Sequence, residues 1–117
     1  MNKALIKDFN RAIQYENERN FQAALNIYLT IIQQDNTFRE AYINLGSLYA
    51  RMNMLTEAMA CFNNAVQLKE DFVVYFNIGC ILYKMNEYKK AIIQLEKSIS
   101  INNRFALSML VIGLSYS

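Results

Sequence analysis

The chain contains no histidine, no proline and no tryptophan, and only two cysteines and three glycines in 117 residues. Lacking histidine, it lacks the most common general base, the serine and cysteine triads that depend on one, and most zinc sites. Cys61 and Cys80 are too few for a disulfide framework and stand without metal-ligand spacing, so a reduced, cytoplasmic protein is expected. With no proline and little glycine, loop-rich and all-β folds have almost no turn punctuation to work with. No glycine-rich phosphate loop occurs, and no apolar run approaches the ~18 residues of a membrane span. The opening stretch "MNKALIKDFNR" breaks its apolar residues with charge too soon for a secretory leader. A net charge of +2 is too small for a nucleic-acid surface. These absences point away from an enzyme, and from metal, cofactor, nucleic acid and membrane alike.

What is present suits one folded all-α domain with a modest core: 54% of residues are hydrophobic and 19% charged. Lys84, Lys89, Lys90 and Lys97 are spaced around helix faces and read as solvated surface. Sliding the sequence along itself gives the decisive pattern. Ala41 to Leu68, "AYINLGSLYARMNMLTEAMACFNNAVQL", lies over Val74 to Ile101, "VYFNIGCILYKMNEYKKAIIQLEKSISI", at an offset of 33. Gly46 falls on Gly79, Ala58 on Ala91 and Phe62 on Leu95. An offset of 34 toward the amino terminus carries Gly46 to Ala12, Tyr49 to Tyr15, Ala58 to Ala24 and Phe62 to Tyr28; 34 residues beyond Gly79 lies Gly113. Such a period marks stacked two-helix units.

Within a unit the apolar spacing is helical. Tyr42, Leu45, Gly46 and Tyr49 share one face of a first helix; Ala58, Phe62, Ala65 and Leu68 share one face of a second. Helices are expected over 4–18, 21–34, 39–52, 55–68, 72–85, 88–101 and 105–116. Asn20, Asn53 and Asn86 stand where each first helix must stop, and asparagine tolerates the left-handed backbone such turns need. A glycine inside a helix costs about 1 kcal/mol relative to alanine. It is worthwhile where losing a side chain lets two helices approach, with Ala24, Ala58 and Ala91 as small partners and Tyr28, Phe62 and Leu95 filling the wider space one turn on. The glycine beside Cys80 is thus a packing residue and not the turn of a nucleophile, which would need a base.

Leu45-Gly46, Tyr49, Ala58, Phe62 and Ala65, with Ile78-Gly79, Leu82, Ala91, Leu95 and Ser98 in the next unit, resemble the tetratricopeptide repeat family. The first unit, Ala12, Tyr15, Ala24, Tyr28 and Ile31, departs in carrying Asp8 and Arg11 at two usually apolar positions. The usual closing proline is replaced by Asn36, Glu70 and Asn103, and the usual tryptophan by Tyr42 or Tyr75. The resemblance implies a right-handed α-solenoid of three helix-turn-helix repeats, near 5–38, 39–71 and 72–105, plus an additional helix over 106–117. That last helix, "ALSMLVIGLSYS", is apolar on nearly all faces, as buried helices are, whereas a terminal cap carries a polar outer face. The expectation is that the array continues beyond Ser117, or that Leu107, Leu110, Val111 and Leu114 meet a second copy to make a homo-oligomer, or both; a natural end with a tolerated sticky cap is the plainer alternative.

Tetratricopeptide repeats resemble one another in lining a concave groove with their first helices, which implies non-catalytic binding of a protein or peptide partner. Here the first repeat would contribute Phe9, Asn10 and Ile13; the second Ile43, Asn44, Ser47 and Arg51; the third Phe76, Asn77, Cys80 and Lys84. Asn10, Asn44 and Asn77 each precede the small packing residue by two positions. This ladder resembles the asparagine ladder in the repeat arm of O-linked N-acetylglucosamine transferases, which holds extended polypeptide; a side-chain amide can both donate and accept. Bonding to neighbouring helices or water is the plainer alternative. The carboxylate clamp of co-chaperones is not matched, since Phe9, Ile13, Asn44, Val73 and Asn77 stand at its places and only Asn44 agrees. Cys80 has no cation placed by sequence to activate it, and Cys61 reads as a small buried hydrophobe. A scaffold, adaptor or chaperone-like role is expected, with a self-assembly module, a secretion-type chaperone, or the recognition arm of a larger enzyme such as a glycosyltransferase as rivals.

Overall fold

The computed structural model of the chain describes residues 2–102. Its regular structure there is helical throughout: α1 Lys3–Asn17, α2 Phe21–Gln34, α3 Arg39–Arg51, α4 Leu55–Leu68, α5 Phe72–Lys84 and α6 Tyr88–Ile101. Each differs from the expected range by at most one residue at an end. The expected seventh helix, with Leu107, Leu110, Val111 and Leu114, lies outside the described residues. Two compact units result, the first carrying α1 to α4 and the second α5 and α6.

Short polar side chains start three of the helices by taking N–H groups that have no helical partner. Asn2 accepts from Ala4 N at 2.8 Å, Asn20 from Ala23 N at 3.4 Å and Asp71 from Val73 N at 2.8 Å. Between α2 and α3, Asp35 accepts from both the N–H and the hydroxyl of Thr37, and these bonds hold its carboxyl below the usual range.

The turn inside each repeat is one motif used three times. A residue in the left-handed region follows the first helix, and the next N–H reaches back five residues: Asn20 N to Tyr15 O, Met54 N to Tyr49 O and Glu87 N to Leu82 O, each 2.8 Å. The left-handed residues are Arg19 (φ 61°), Asn53 (φ 60°) and Asn86 (φ 64°). Asn53 and Asn86 hold the turns as expected, but Asn20 does not. It is the cap of α2, one position later, because the offset of 34 that joins the first two repeats carries Asn53 onto Arg19. A left-handed backbone costs an L-residue roughly 1–2 kcal/mol, against about 0.4–1 kcal/mol of extra chain entropy for glycine in the unfolded state. Arg19→Gly is therefore expected to stabilise the protein by about 0.5–1 kcal/mol. A urea midpoint that rises at unchanged slope would bear this out; a fall would refute it.

The first unit buries Leu5, Ala12, Ala24, Leu25, Tyr28, Ile31, Phe38, Ala41, Leu45, Leu48 and Cys61 in one cluster. Phe9 belongs to its edge, with its ring 5.9 Å from Tyr28 and 5.3 Å from Phe38. In the second and third repeats the large residue of the second helix does not lie a turn beyond the glycine, as expected, but directly on it. A Cβ at Gly46 would meet the Phe62 ring at 2.9 Å, and one at Gly79 would meet Leu95 Cδ2 at 2.7 Å. In the second unit Ser98 takes the place of Ala65. Its hydroxyl, fully buried, donates to Phe72 O at 2.7 Å and so ties α6 to the start of α5 without leaving a polar atom unpaired.

Candidate functional site

The residues singled out on the first helices fall into two groups. In the first unit, Asn10 is exposed and Phe9 and Ile13 are half-buried on α1; Ile43, Asn44 and Ser47 are half-buried on α3, and Arg51 ends that helix exposed. In the second, α5 carries Phe76, Asn77 and Cys80 half-buried and Lys84 exposed. Ile6 and Val73, at the amino-terminal side of these stripes, are 39% and 42% exposed.

The structure joins two of these residues to others that periodicity did not single out as one group. Tyr28 on α2 is fully buried, and its hydroxyl donates to Glu16 Oε2 on α1. Asn44 Nδ2 on α3 donates to the same hydroxyl oxygen at 3.4 Å. Arg51 Nη1 stands 3.8 Å from Glu16 Oε1, with its guanidinium 4.9 Å above the Phe21 ring. One chain of contacts thus links α1, α2 and α3. Burial pushes the Tyr28 hydroxyl far above its ordinary pKa, and Glu16 as its acceptor pushes the same way, while Asn44 opposes weakly. Tyr28 therefore stays protonated and a donor at any ordinary pH. The signal for this network was available: a buried tyrosine hydroxyl needs a partner, and Glu16 is the acidic residue near the end of the facing helix.

The side chains of Asn10 and Asn77 make no hydrogen bond among the described residues. Cys80 is a thiol with a raised pKa: burial dominates and Lys84, four residues on, lowers it only in part. The expectation of no nearby cation is thus corrected, yet the thiol remains unactivated. Cys61 is pushed up to about 11 by burial, with Glu57 adding to the effect. Among the described residues no group of three potential metal ligands occurs, and no helix is long and apolar enough to cross a membrane.

Two family models for the tetratricopeptide repeat match residues 40–72 and 73–105, more than half of the chain. The chain belongs to the tetratricopeptide repeat family. The models cover the second and third repeats; the turn at Arg19, built like those at Asn53 and Asn86, marks α1 and α2 as the first. No curated protein matches the chain. Among solved structures, the chain is similar to one in the CopN–Scc3 complex, with 13% identity over 96% of this chain and 70% of that one and a TM-score of 0.89. It is similar to MamA at 26% identity over 96% and 66% of the two chains, with a TM-score of 0.85. YrrB, described as a TPR protein with an unusual peptide-binding site, shares 24% identity over 82% and 50%, with a TM-score of 0.75. This tetratricopeptide chain therefore spans between 50% and 70% of the length of those relatives. The likenesses establish an all-α helical-repeat solenoid fold, and the repeats make the chain a protein–protein interaction module.

Proposed function

We propose that the chain binds a polypeptide segment along the first helices of its repeats and performs no chemistry on it. The observation that carries this reading is the state of α1: Asn10 is exposed and without a hydrogen-bond partner among the described residues, between the apolar surfaces of Ile6, Phe9 and Ile13. An amide among apolar pockets can pair with a peptide backbone while the pockets take alternate side chains. The same composition recurs a period on as Ile43, Asn44 and Ser47, and again as Val73, Phe76, Asn77 and Cys80. The existing links among α1, α2 and α3 support a preformed surface, which lowers the ordering cost of association. The YrrB description, a peptide-binding site on repeats of this kind, agrees with it.

The test uses dodecapeptides selected from a random phage-displayed library on the whole chain. Asn10→Ala combined with Asn77→Ala removes no hydrogen bond seen among the described residues, so folding should be untouched. Titration calorimetry is expected to show peptide affinity falling by about ten- to a hundredfold, in line with loss of two backbone pairs of about 0.5–1.5 kcal/mol each. Equal affinity for the folded double variant would end the proposal.

A further inference from the structure

The three asparagines of the repeat are not equivalent, and the inequality has a direction. Glu16 is a carboxylate and can only accept hydrogen bonds. Its Oε2 takes the single hydroxyl proton of Tyr28, and its Oε1 faces Arg51. With that proton given to Glu16, the Tyr28 oxygen can act toward Asn44 only as an acceptor. The amide must then turn its NH2 end toward Tyr28, where Nδ2 stands 3.4 Å from the oxygen. Its carbonyl end, Oδ1, has no partner. Among the described residues no unpartnered side-chain oxygen or nitrogen is fully buried, so Oδ1 of the half-buried Asn44 is not sealed from solvent. The pair that fixes Asn44 stands in the repeat before it, and the corresponding positions in the repeat before Asn77 cannot rebuild the arrangement. Glu16 becomes Ala50 and Tyr83, and Tyr28 becomes Phe62 and Leu95, one period and two periods on.

Resting on the binding reading above, we infer that Asn44 is a fixed hydrogen-bond acceptor for a backbone N–H of an extended polypeptide, held in that orientation by Tyr28, Glu16 and Arg51 as positioning residues. Two consequences follow for the client. The backbone N–H groups of a helix beyond its first turn are already bonded internally, so an acceptor-only contact selects an extended segment over an amphipathic helix. In an extended segment successive residues turn their backbone groups to opposite sides. One obligatory acceptor therefore selects which residues of the segment face α3, while Asn10, which can present either end of its amide, adapts. Register is read without reading side chains.

The experiment takes a selected dodecapeptide whose binding depends on Asn10 and Asn77, and replaces each of its backbone amides in turn by an ester, which removes the N–H and adds no bulk. At one position the ester is expected to weaken binding to the wild-type chain by about three- to tenfold, the worth of one net hydrogen bond. That loss is expected to disappear in Asn44→Ala. It should also shrink in Tyr28→Phe, which removes only a hydroxyl and frees the amide to rotate. A merely structural role for Tyr28 would weaken every peptide alike and leave the ester pattern intact. If the peptide depends on Asn10 and Asn77 but no ester position couples to Asn44, the inference is overturned and the binding reading stands. Circular dichroism showing that the selected peptides bind as helices would overturn it in the same way. If no selected peptide depends on Asn10 and Asn77, the binding reading fails and the inference falls with it.

Discussion

Gly46→Leu is expected to cost the first unit more than about 3 kcal/mol, at or beyond the upper end of what overpacking a core usually costs. A single methyl already overlaps at this position. An added Cβ would lie 2.9 Å from Phe62 Cε1 and 3.0 Å from Cδ1 and Cζ, three atoms of a ring that is 1% exposed and so hemmed in. Leucine adds three further carbons in the same direction. The milder Gly46→Ala separates packing from helix propensity, because the two act in opposite senses. Propensity favours alanine by about 1 kcal/mol, while a strained core costs about 1–3 kcal/mol, so Gly46→Ala should destabilise by about 1 kcal/mol on balance. Gly79→Ala should be close to neutral, although the added Cβ would come nearer, 2.7 Å from Leu95 Cδ2. Leu95 is only half-buried and can rotate away, which Phe62 cannot. Urea unfolding of the four proteins, wild type included, reads this ordering. Phe62→Leu should rescue Gly46→Ala. A neutral Gly46→Ala beside a costly Gly79→Ala would show that ring confinement does not decide the outcome.

The contrast between those two glycines also shows what the sequence could and could not reveal. Period and apolar spacing are properties that every repeat shares, so aligning the repeats located the described helices almost to the residue and marked Gly46 and Gly79 as close contacts. Anything that belongs to one repeat alone disappears in that alignment. Asparagine is the residue expected at a left-handed turn, and Asn20 stands next to Arg19; only the conformation, φ 61° at Arg19, separates them. The bond from Ser98 to Phe72 O spans 26 residues and depends on a serine where the other repeats have isoleucine or alanine. Cys80 shows a third limit. Sequence could place Lys84 one helical turn away, but the sign of the shift follows from how far burial outweighs that charge. The Asn10, Asn44 and Asn77 ladder was legible as a pattern, yet its members differ because of Tyr28 and Glu16, which belong to the first repeat alone.

That difference gives Asn44→Asp a sign opposite to what a near-isosteric change suggests. Asn44→Ala removes one long hydrogen bond, 3.4 Å, and should cost less than about 1 kcal/mol. Asn44→Asp should cost more, about 1–3 kcal/mol at neutral pH, because a second carboxylate would then face a hydroxyl whose one proton already goes to Glu16. Two acceptors cannot share it, and the two negative charges repel. Arg51 relieves the new charge only in part, since its guanidinium is already engaged by Glu16 Oε1 at 3.8 Å. Repulsion and partial burial raise the folded pKa of the new carboxyl above its unfolded value of about 3.9. A raised carboxyl pKa means that the folded state binds the proton more tightly, so the defect relative to wild type is largest at neutral pH and eases as pH falls through that raised pKa. Adding Glu16→Gln should restore stability to Asn44→Asp at pH 7. The amide at 16 can donate to the Tyr28 oxygen, which frees the hydroxyl proton for the carboxylate on α3. Unfolding curves of the two single variants and the double variant, at pH 7 and pH 5, test the whole proton arrangement. If Asn44→Asp proves no worse than Asn44→Ala, Tyr28 does not give its proton to Glu16, and the fixed orientation of the Asn44 amide goes with it.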